Sequence, residues 1–473
     1  MSLSGRLLAS PLVELTRRAL EDGEGAWIVG GAVRDAALDR AVTDLDLAVG
    51  GDPAAAAKAI ARVGEGHAFE LSAEFGTWRA VAADHSWQVD VTALRGESIE
   101  ADLAERDFTI GAVAVALVGD EALDPYGGLE DLEHRRLRAV GESSFAADPL
   151  RLLRAARLAA ELDLAVDSET LQLARAKSSH AADPAGERQL AELRLLLGGP
   201  NPLRGLALLD EMELTPVVLP EVEGLKGVEQ GPNHHLDVYG HTLAVLEHTL
   251  EVEADLERFA GERASETAEL LAEPLADEMS RSTALRFGAL LHDIGKPATR
   301  GEHDGFVTFI GHDRDGAEIV SGLCARLRAS RRLSKHLEAL TLHHLRLGFM
   351  VHEMPLPPRR VHEYLRATEP VAADVTLLTV ADRLSARGSG PFATDEAIEA
   401  HLSLARRMLA DALDWRRDGP PAPLLRGDEL AAELGIPEGP EIGALLAELE
   451  AAQYAGEVTT REEAVAHARS MRG

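Results

Sequence analysis

The chain has 473 residues, too many for one hydrophobic core, so we expect two to four domains. Apolar residues make up 45% of the chain. No run of about 18 apolar residues occurs, which excludes a predicted membrane span. The formal net charge of −32 argues against a nucleic-acid partner that is held by overall charge.

Nucleic-acid binding depends on local charge, however, and arginines cluster at three places along this acidic chain. These clusters lie within residues 135–138, 151–157 and 326–332. Two interpretations of the charge remain open. Either the protein combines an acidic body with a basic groove that binds nucleic acid, or the acidic bias is only an adaptation for solubility.

The composition favours helices, because aromatic residues are only 4% of the chain while Ala, Leu, Glu and Arg are abundant. Residues 1–20 lack the layout of a signal peptide and are predicted to form a helix of a soluble protein. The single cysteine, Cys324, excludes an intrachain disulfide and is typical of a reducing compartment. We therefore expect a cytoplasmic protein.

In chain order, short β-like runs mixed with helices give way to purely helical segments. The runs predict strands at residues 26–29, 45–49, 79–83, 87–91 and 112–117. Residues 418–423 have the composition of a linker. The pattern predicts an α+β multidomain protein, with boundaries at residues 1–140, 141–225, 226–400 and 401–473.

The first predicted strand runs into a double glycine, Gly30 and Gly31, after which the chain continues as a helix start. Glycines allow close backbone approach, and the free N–H groups of a helix start bind phosphate. Arg34, one turn further on, is placed to clamp a phosphate oxygen. This segment predicts a triphosphate site.

Two carboxylates, Asp44 and Asp46, follow on the next predicted strand. Since side chains alternate along a strand, both point to the same face. Two carboxylates on one face are what a two-metal nucleotidyl-transfer site needs, and Mg²⁺ prefers oxygen ligands. Asp90, on a neighbouring predicted strand, is the candidate third carboxylate that orients or deprotonates the attacking hydroxyl.

These motifs resemble the signature of class II tRNA nucleotidyltransferases and bacterial poly(A) polymerases, members of the polymerase-beta-like superfamily. The resemblance starts at Gly30-Gly31-Ala32-Val33-Arg34-Asp35 and Asp44-Leu45-Asp46. It continues through residues 105–112, 124–128 and 148–157. The resemblance implies an α/β nucleotidyltransferase head at residues 1–140, followed by a helical neck at residues 141–225.

The resemblance also implies an activity, the template-independent addition of C, with or without A, to tRNA 3′ ends. The substrates would be tRNA, CTP and ATP, and the cofactor Mg²⁺ bound by Asp44 and Asp46. Residues implied to bind the nucleotide are Gly30, Gly31, Arg34, Arg106, Asp148, Arg151, Arg154 and Arg157. Asp148 and Arg151 would contact the base edge, since an Asp acceptor and an Arg fork can mimic a Watson–Crick partner.

Other interpretations of these residues stay open. Arg151, Arg154 and Arg157 follow helix spacing, which also fits a solvated helix face. Glu105 and Gly111 depart from the family pattern, where Arg and Asn are usual. Only fifteen residues separate Asp90 from Arg106. In the family, a loop shortened in this region goes with enzymes that add CC but not the final A.

A second constellation lies downstream, in residues 226–400. His241, the pair His292–Asp293 and Asp382 occur in an order that resembles the HD-domain pattern, which binds a divalent metal through imidazoles and carboxylates. His312 and either His343 or His344 would extend the site toward a second metal. The resemblance implies phosphohydrolase activity with a divalent metal of unspecified identity.

The last segment, residues 401–473, resembles the helical tail of HD-containing tRNA nucleotidyltransferases. Three alternatives to tRNA nucleotide addition remain. A poly(A) polymerase would use ATP alone. An HD phosphohydrolase would carry a vestigial head. A non-catalytic RNA-binding module would not need Asp44, Asp46 and Asp90.

Overall fold

The computed structural model describes residues 3–20, 25–42, 44–72, 76–119, 122–390 and 393–472. The chain divides into two compact units, Met1–Val218 and Leu219–Gly473. The first unit combines a mixed sheet with helices, and the second is almost entirely helical. This is the α+β multidomain architecture that the sequence predicts.

The first unit is built on a seven-stranded sheet with the order β3-β4-β5-β2-β1-β6-β7. Within the described part of this sheet, β2 with β5 is the only parallel pair. The strands are β1 (Ala26–Val29), β2 (Asp44–Val49), β3 (His67–Ser72), β4 (Thr77–Val81), β5 (Gln88–Ala93), β6 (Ala114–Ala116) and β7 (Ala122–Leu123). The five predicted strands correspond to β1, β2, β4, β5 and β6, and the two edge strands, β3 and β7, are additional.

In the described part of the first unit, six α-helices accompany the strands of the sheet, and six more follow them in the chain. Those around the sheet are α1 (Leu3–Leu8), α2 (Pro11–Ala19), α3 (Gly31–Ala37), α4 (Pro53–Val63), α5 (Ile99–Ala104) and α6 (Gly128–Glu133). Those that follow are α7 (Ser144–Ala147), α8 (Arg151–Glu161), α9 (Ser168–Lys177), α10 (Gly186–Gly198), α11 (Pro202–Glu211) and α12 (Thr215–Val218). A two-stranded parallel ladder, β8 (Arg136–Leu137) with β9 (Ala165–Val166), lies among them.

The core of the first unit explains why its carboxylates are presented to solvent. Along β2, Leu45 and Leu47 are buried in the cluster that also holds Ile28 and Val89. Because side chains alternate along a strand, the burial of the leucines turns the intervening residues of β2 to the opposite face. The hydrophobic effect therefore positions the site.

The second unit contains fifteen α-helices among its described residues. They are α13 (Pro220–Glu223), α14 (Val238–Ala254), α15 (Leu256–Ala260), α16 (Ala264–Ala272), α17 (Arg281–Leu291), α18 (Lys296–Thr299), α19 (His312–Arg326), α20 (Arg331–His343), α21 (Arg346–Met350), α22 (Pro358–Thr368), α23 (Ala372–Ser385), α24 (Asp395–Asp418), α25 (Gly427–Leu434), α26 (Pro440–Tyr454) and α27 (Arg461–Ser470). Two short hairpins complete it, β10 (Pro274–Ala276) with β11 (Met279–Ser280) and β12 (Gly301–His303) with β13 (Phe306–Thr308).

Within the second unit, α14, α17 and α23 pack against one another, and α19 packs against α20. Helices α25, α26 and α27 close around a separate apolar cluster centred on Leu430, Leu445 and Ala452. In the part of the chain that the structure describes, every helix is too short or too polar to span a membrane.

The only cysteine, Cys324, lies inside α19 and is buried. Burial raises the pKa of its thiol to about 11, which keeps it protonated at neutral pH. We expect a thiol reagent to modify Cys324 slowly in the native protein and quickly after unfolding in guanidinium chloride. Equal labelling rates in the two states would contradict this burial.

Candidate active sites

The turn between β1 and α3 places backbone close to a carboxylate. Gly30 caps α3 with a φ of +68°, in the region that favours glycine. A Cβ atom at Gly30 would lie only 3.0 Å from the Oδ2 atom of Asp46. The N–H of Gly31 donates a hydrogen bond to the Asp46 carboxylate. The double glycine therefore allows α3 to begin directly beside the carboxylates of β2.

Asp44 and Asp46 lie on the same, solvent-facing side of β2, as the alternation predicts. In the parallel pairing of β2 and β5, Asp46 is the register partner of Asp90. Desolvation by the surrounding protein, followed by repulsion from Asp90, raises the pKa of Asp46 above its ordinary value. Crowded carboxylates that repel one another favour a bound cation.

An arginine that the sequence analysis did not single out contacts this group. Arg79 is the register partner of Asp90 across β4 and β5. Its Nε and Nη2 atoms each donate to one Asp90 oxygen at 2.7 Å. The hydrogen bond to Asp90 is the main cause that raises the pKa of Arg79. Arg79 and Asp90 face each other because of the register in which β4 pairs with β5, and a local sequence pattern does not reveal that register.

Two further arginines of the predicted triphosphate site are held by acidic neighbours. Arg34 pairs with Asp35 at 3.0 Å, and Arg106 donates to the buried Asp102 at 2.7 Å. A Cβ atom at Gly30 would lie 3.5 Å from the Nη1 atom of Arg106, which places this guanidinium at the glycine turn. Both cations therefore lie close to the segment that is predicted to bind phosphate.

The two residues predicted to contact the base are each engaged elsewhere. Arg151 donates to the backbone carbonyl oxygens of Glu105 at 2.7 Å and Arg106 at 3.3 Å. Asp148 accepts a hydrogen bond from Arg188 at 2.8 Å and does not pair with Arg151. Arg151 therefore connects the start of α8 to the segment after α5, and Arg188 is a neighbour of Asp148 that the sequence analysis missed.

The other two arginines of α8 do not form a freely solvated face. Arg154 donates to Asp107 at 2.9 Å. Arg157 is buried and donates to Glu192 at 2.6 Å and to Glu161 at 2.7 Å. The ion pair between Arg157 and Glu192 joins α8 to α10, so these side chains hold the helices behind Arg151 in place.

The residues of the first unit fit a hard cation such as Mg²⁺. Asp44 and Asp46 offer oxygen donors on one face of β2, and burial, followed by repulsion from Asp90, raises the pKa of Asp46. Among the described residues, the three carboxylates do not bring their oxygens together as closely as a compact ligand cluster would. Arg79 takes both oxygens of Asp90 in this arrangement.

Six residues of the second unit form two adjoining groups of potential metal ligands. His241, His292 and Asp382 make the first group, and within each group the donor atoms lie within 4.8 Å of one another. The second group is Asp293, His312 and His344.

Asp293 joins the two groups, because each of its carboxylate oxygens faces one of them. Its Oδ2 atom lies 3.1 Å from the Nε2 atom of His292 and 3.5 Å from that of His241. Its Oδ1 atom lies 3.3 Å from His312 and 3.6 Å from His344. Burial alone would raise the pKa of Asp293, but the charge of His292 and then that of Lys296 hold it well below its ordinary value.

The imidazoles are oriented as metal ligands. The Nδ1–H groups of His292, His312 and His344 each donate to the carbonyl oxygen three residues earlier, at 2.8, 2.6 and 2.6 Å. In the neutral ring, which metal binding requires, each Nε2 lone pair points into the cluster, and the Nε2 atoms of His312 and His344 face each other at 3.3 Å. The buried Nε2 atoms of His292 and His241 each face a carboxylate oxygen, of Asp293 at 3.1 Å and of Asp382 at 3.0 Å. The set therefore fits divalent metal ions.

The structure places His344, not His343, in this cluster. Helix α20 ends at His343, whose Nδ1 atom accepts a hydrogen bond from Arg346 at 2.9 Å near the surface. His344 is buried and points inward. Lys296 is also part of the site, since its Nζ atom lies 2.6 Å from Asp293.

Gly295 lets α18 and α19 approach beside the cluster. A Cβ atom there would lie 2.2 Å from the carbonyl oxygen of His312 and 2.6 Å from the backbone nitrogen of Gly316. We expect Gly295→Ala to lower the free energy of unfolding of the second unit by about 1–3 kcal/mol or more, because rigid backbone must move.

Gly322→Ala is the matched control. Gly322 lies inside α19 with no atom within 4 Å of its added Cβ, so alanine should stabilise by about 0.5–1 kcal/mol. Denaturant unfolding measures both variants. Equal effects of the two substitutions would contradict the close approach at Gly295.

Family models match three parts of the chain. The Poly A polymerase head domain matches residues 26–138, and the HD domain matches residues 238–387. Between them, the probable RNA and SrmB-binding site of polymerase A matches residues 163–225. Domains of the head and HD types typically use divalent metals, as the two ligand sets here would allow.

Relatives cover nearly the whole chain. It is 36% identical to an A-adding tRNA nucleotidyltransferase of Deinococcus radiodurans over 447 residues, which is 93% of this chain and 94% of that protein. It is 35% identical to a CC-adding tRNA nucleotidyltransferase of Thermus thermophilus, over 95% of this chain and 94% of that protein. The fold is similar to that of the Thermotoga maritima CCA-adding enzyme complexed with tRNA, with a TM-score of 0.61, 20% identity and coverage of 100% and 99%.

Fold and sites together define a nucleotidyltransferase head joined to an HD domain. The extent and identity of these matches show that the chain belongs to the tRNA nucleotidyltransferase family.

Proposed function

We propose that this protein adds cytidine, with or without the terminal adenosine, to tRNA 3′ ends without a template. The observation that carries the proposal is the arrangement of Asp44 and Asp46 on one face of β2, next to the glycine turn and beside Asp90. The relatives' names support nucleotide addition to tRNA, and they differ in the nucleotide: the Deinococcus radiodurans protein is described as A-adding and the Thermus thermophilus protein as CC-adding. A cytoplasmic place of action agrees with the single, buried Cys324.

In the proposed reaction, the tRNA 3′ oxygen forms a bond to the α-phosphorus while the bond to the leaving pyrophosphate breaks. Mg²⁺ bound by Asp44 and Asp46 would stabilise the charge on the attacking and leaving oxygens. The N–H groups at Gly31 and the side chains of Arg34 and Arg106 bind the triphosphate. Asp90 orients the hydroxyl and accepts its proton, for which Arg79 must release one carboxylate oxygen.

We further propose that Asp148 and Arg151 contact the base. Each already makes hydrogen bonds that fix its position, Asp148 with Arg188 and Arg151 with three backbone carbonyls. A bound base would exchange some of these bonds for its own edge. The short segment between Asp90 and Arg106 resembles that of family members that add CC but not the final A, which supports CC addition.

The test is incorporation of labelled CTP and ATP, with Mg²⁺, into three tRNAs that lack CCA, end in C or end in CC. CTP used on the first two tRNAs with ATP refused on the third indicates a CC-adding enzyme. ATP accepted on the CC end together with CTP on the bare end indicates full CCA addition. Incorporation of neither nucleotide into any of the tRNAs would contradict the proposal.

A second function is favoured by the six-residue cluster around Asp293. We propose that the HD domain hydrolyses a phosphate ester, in which a water oxygen bonds to phosphorus, the ester P–O bond breaks and the alcohol leaves with a proton. A divalent metal there would supply a nucleophilic water at neutral pH. Phosphatase activity that His292→Ala removes, with nucleotide incorporation retained, supports this function. Activity that survives the substitution would contradict it.

A further inference from the structure

The pairing registers of five strands place five residues in one row across the sheet of the first unit. The row runs from Phe69 on β3 through Arg79 on β4 and Asp90 on β5 to Asp46 on β2, and it ends at Val29 on β1. Side chains that lie directly opposite each other on neighbouring strands project to the same face of a sheet. Phe69 and Arg79 therefore share the face that carries the carboxylates.

Alternation along β3 agrees with this direction of Phe69. The preceding residue, Ala68, packs against the core cluster on the other face of the sheet, which also holds Ala80 and Val89. Phe69 itself is 46% exposed although it is a large aromatic residue. Three strand spacings of about 4.8 Å separate β3 from β2, so this ring lies about 14 Å from Asp46 along the row.

The row is covered at one end and open at the other. At the β1 end, Val29 packs with Ile99 and Leu103 of α5. At the β3 end, Arg79 is partly exposed and Phe69 is exposed. A ligand that extends from the carboxylates along this row can therefore lie over β4 and β3.

The geometry of the proposed reaction indicates which ligand would lie there. An in-line transfer places the attacking oxygen opposite the leaving pyrophosphate. The triphosphate is proposed to bind at the turn of Gly30 and Gly31, which lies beside Asp46 at the end of β1. The attacking 3′ hydroxyl then approaches from the side of Asp90, and the RNA strand that carries it continues over β4 and β3.

Arg79 has a donor left for a phosphate of that strand. Its Nε and Nη2 atoms contact Asp90, and its Nη1 atom makes no hydrogen bond within the described part of the chain. The planar donor fork of a guanidinium suits phosphate oxygens. A phosphate that draws Arg79 toward itself would also free one oxygen of Asp90 for the reacting hydroxyl.

We propose that Phe69 and Arg79 bind the single-stranded 3′ end of the RNA acceptor, Phe69 by stacking with a base and Arg79 by contacting a backbone phosphate. An aromatic ring beside a cation holds single-stranded nucleic acid without requiring a particular sequence, because every base has a face that stacks. The inference rests on the proposed transfer of nucleotides to tRNA 3′ ends. It assigns to the acceptor strand a place on the sheet and two residues that contact it.

The test of stacking is photocrosslinking of the full chain to tRNA lacking CCA that carries 5-iodouridine at one of its last three nucleotides. Mass spectrometry of the digested complex should identify Phe69 as the attached residue. Phe69→Leu should lose this crosslink and raise the dissociation constant of the tRNA about fivefold or more, as expected for the loss of one base–aromatic stack. Phe306→Leu is the matched control, an exposed aromatic residue of β13 in the second unit, and should behave like the wild type.

The test of the phosphate contact is the dependence of tRNA affinity on salt. Each phosphate contact to a single strand adds about 0.7 to the slope of log affinity against log salt concentration, so Arg79→Gln should lower the slope by about that amount. Arg79→Lys keeps the charge and should keep the slope. Arg62→Gln removes the same charge from an exposed position of α4, which packs against the other face of the sheet, and should leave the slope unchanged.

Three results would overturn the inference: crosslinks of the wild type only to residues outside β3, an equal crosslink yield in Phe69→Leu, or the wild-type salt slope in Arg79→Gln. Failure of the proposed transferase function looks different. In that case the tRNA crosslinks to Phe69 and its affinity depends on Arg79, but the wild type incorporates neither CTP nor ATP.

Discussion

Asp44→Asn should reduce nucleotide incorporation about a thousand-fold or more while leaving the fold intact. The substitution keeps the shape of the side chain but removes a charge that a divalent cation needs. A bound metal contributes several kcal/mol to the transition state, and each 1.4 kcal/mol corresponds to a factor of ten in rate. Since Asp44 is exposed at the start of β2, its loss leaves no buried group without a partner. Single-turnover incorporation of CTP into tRNA lacking CCA measures the effect.

Asp84→Asn is the control for this variant. Asp84 lies between β4 and β5, where its carboxylate accepts a hydrogen bond from the backbone of Ser86 at 3.0 Å. The side-chain oxygen of asparagine can accept the same hydrogen bond from Ser86. Both nucleotide incorporation and stability should therefore match those of the wild type. If Asp44→Asn incorporates nucleotide as fast as Asp84→Asn does, Asp44 is not a metal ligand in the reaction.

Asp293→Asn should abolish metal-dependent stabilisation of the HD domain. Asp293 contacts ligands of both groups and pairs with the buried Lys296, so its charge serves both halves of the cluster. A metal at a hundred times its dissociation constant stabilises a folded protein by about 2.7 kcal/mol. We expect Mn²⁺ at such a concentration to raise the free energy of unfolding of the wild type by about 2.7 kcal/mol and that of the variant by much less.

The same variant should also be less stable without metal. Breaking a buried ion pair by removing one partner typically costs about 3–5 kcal/mol, because the other charge stays buried. Asp315→Asn, on the exposed first turn of α19, is the matched control and should respond to Mn²⁺ like the wild type. Denaturant unfolding with and without Mn²⁺ provides both quantities. If Mn²⁺ stabilised Asp293→Asn as much as it stabilises the wild type, Asp293 would not join the two groups of metal ligands.

Local patterns were enough to predict the central strands and the position of the carboxylates. The alternation along β2, with Leu45 and Leu47 buried, is written directly in the sequence and places Asp44 and Asp46 on one face. Strand β3 lacks this signal, because most of its residues are exposed at the edge of the sheet. Its formation depends on pairing with β4, which a local pattern does not encode.

Contacts between distant segments were not predictable in the same way. The Arg79–Asp90 pair depends on the register of β4 against β5, and Asp148 finds Arg188 forty residues away. The choice between His343 and His344 depends on where α20 ends relative to the cluster. In each case the chemistry of the residue was visible in the sequence, while its partner is set by tertiary packing.

The head is proposed to add nucleotides to tRNA without a template. The most direct test is to incubate the wild-type protein with tRNA lacking CCA, Mg²⁺ and both CTP and ATP, and then to sequence the RNA 3′ ends. We expect added nucleotides that begin with C and stop at or before a completed CCA end. Unchanged ends, or long tails of adenosine alone, would contradict it.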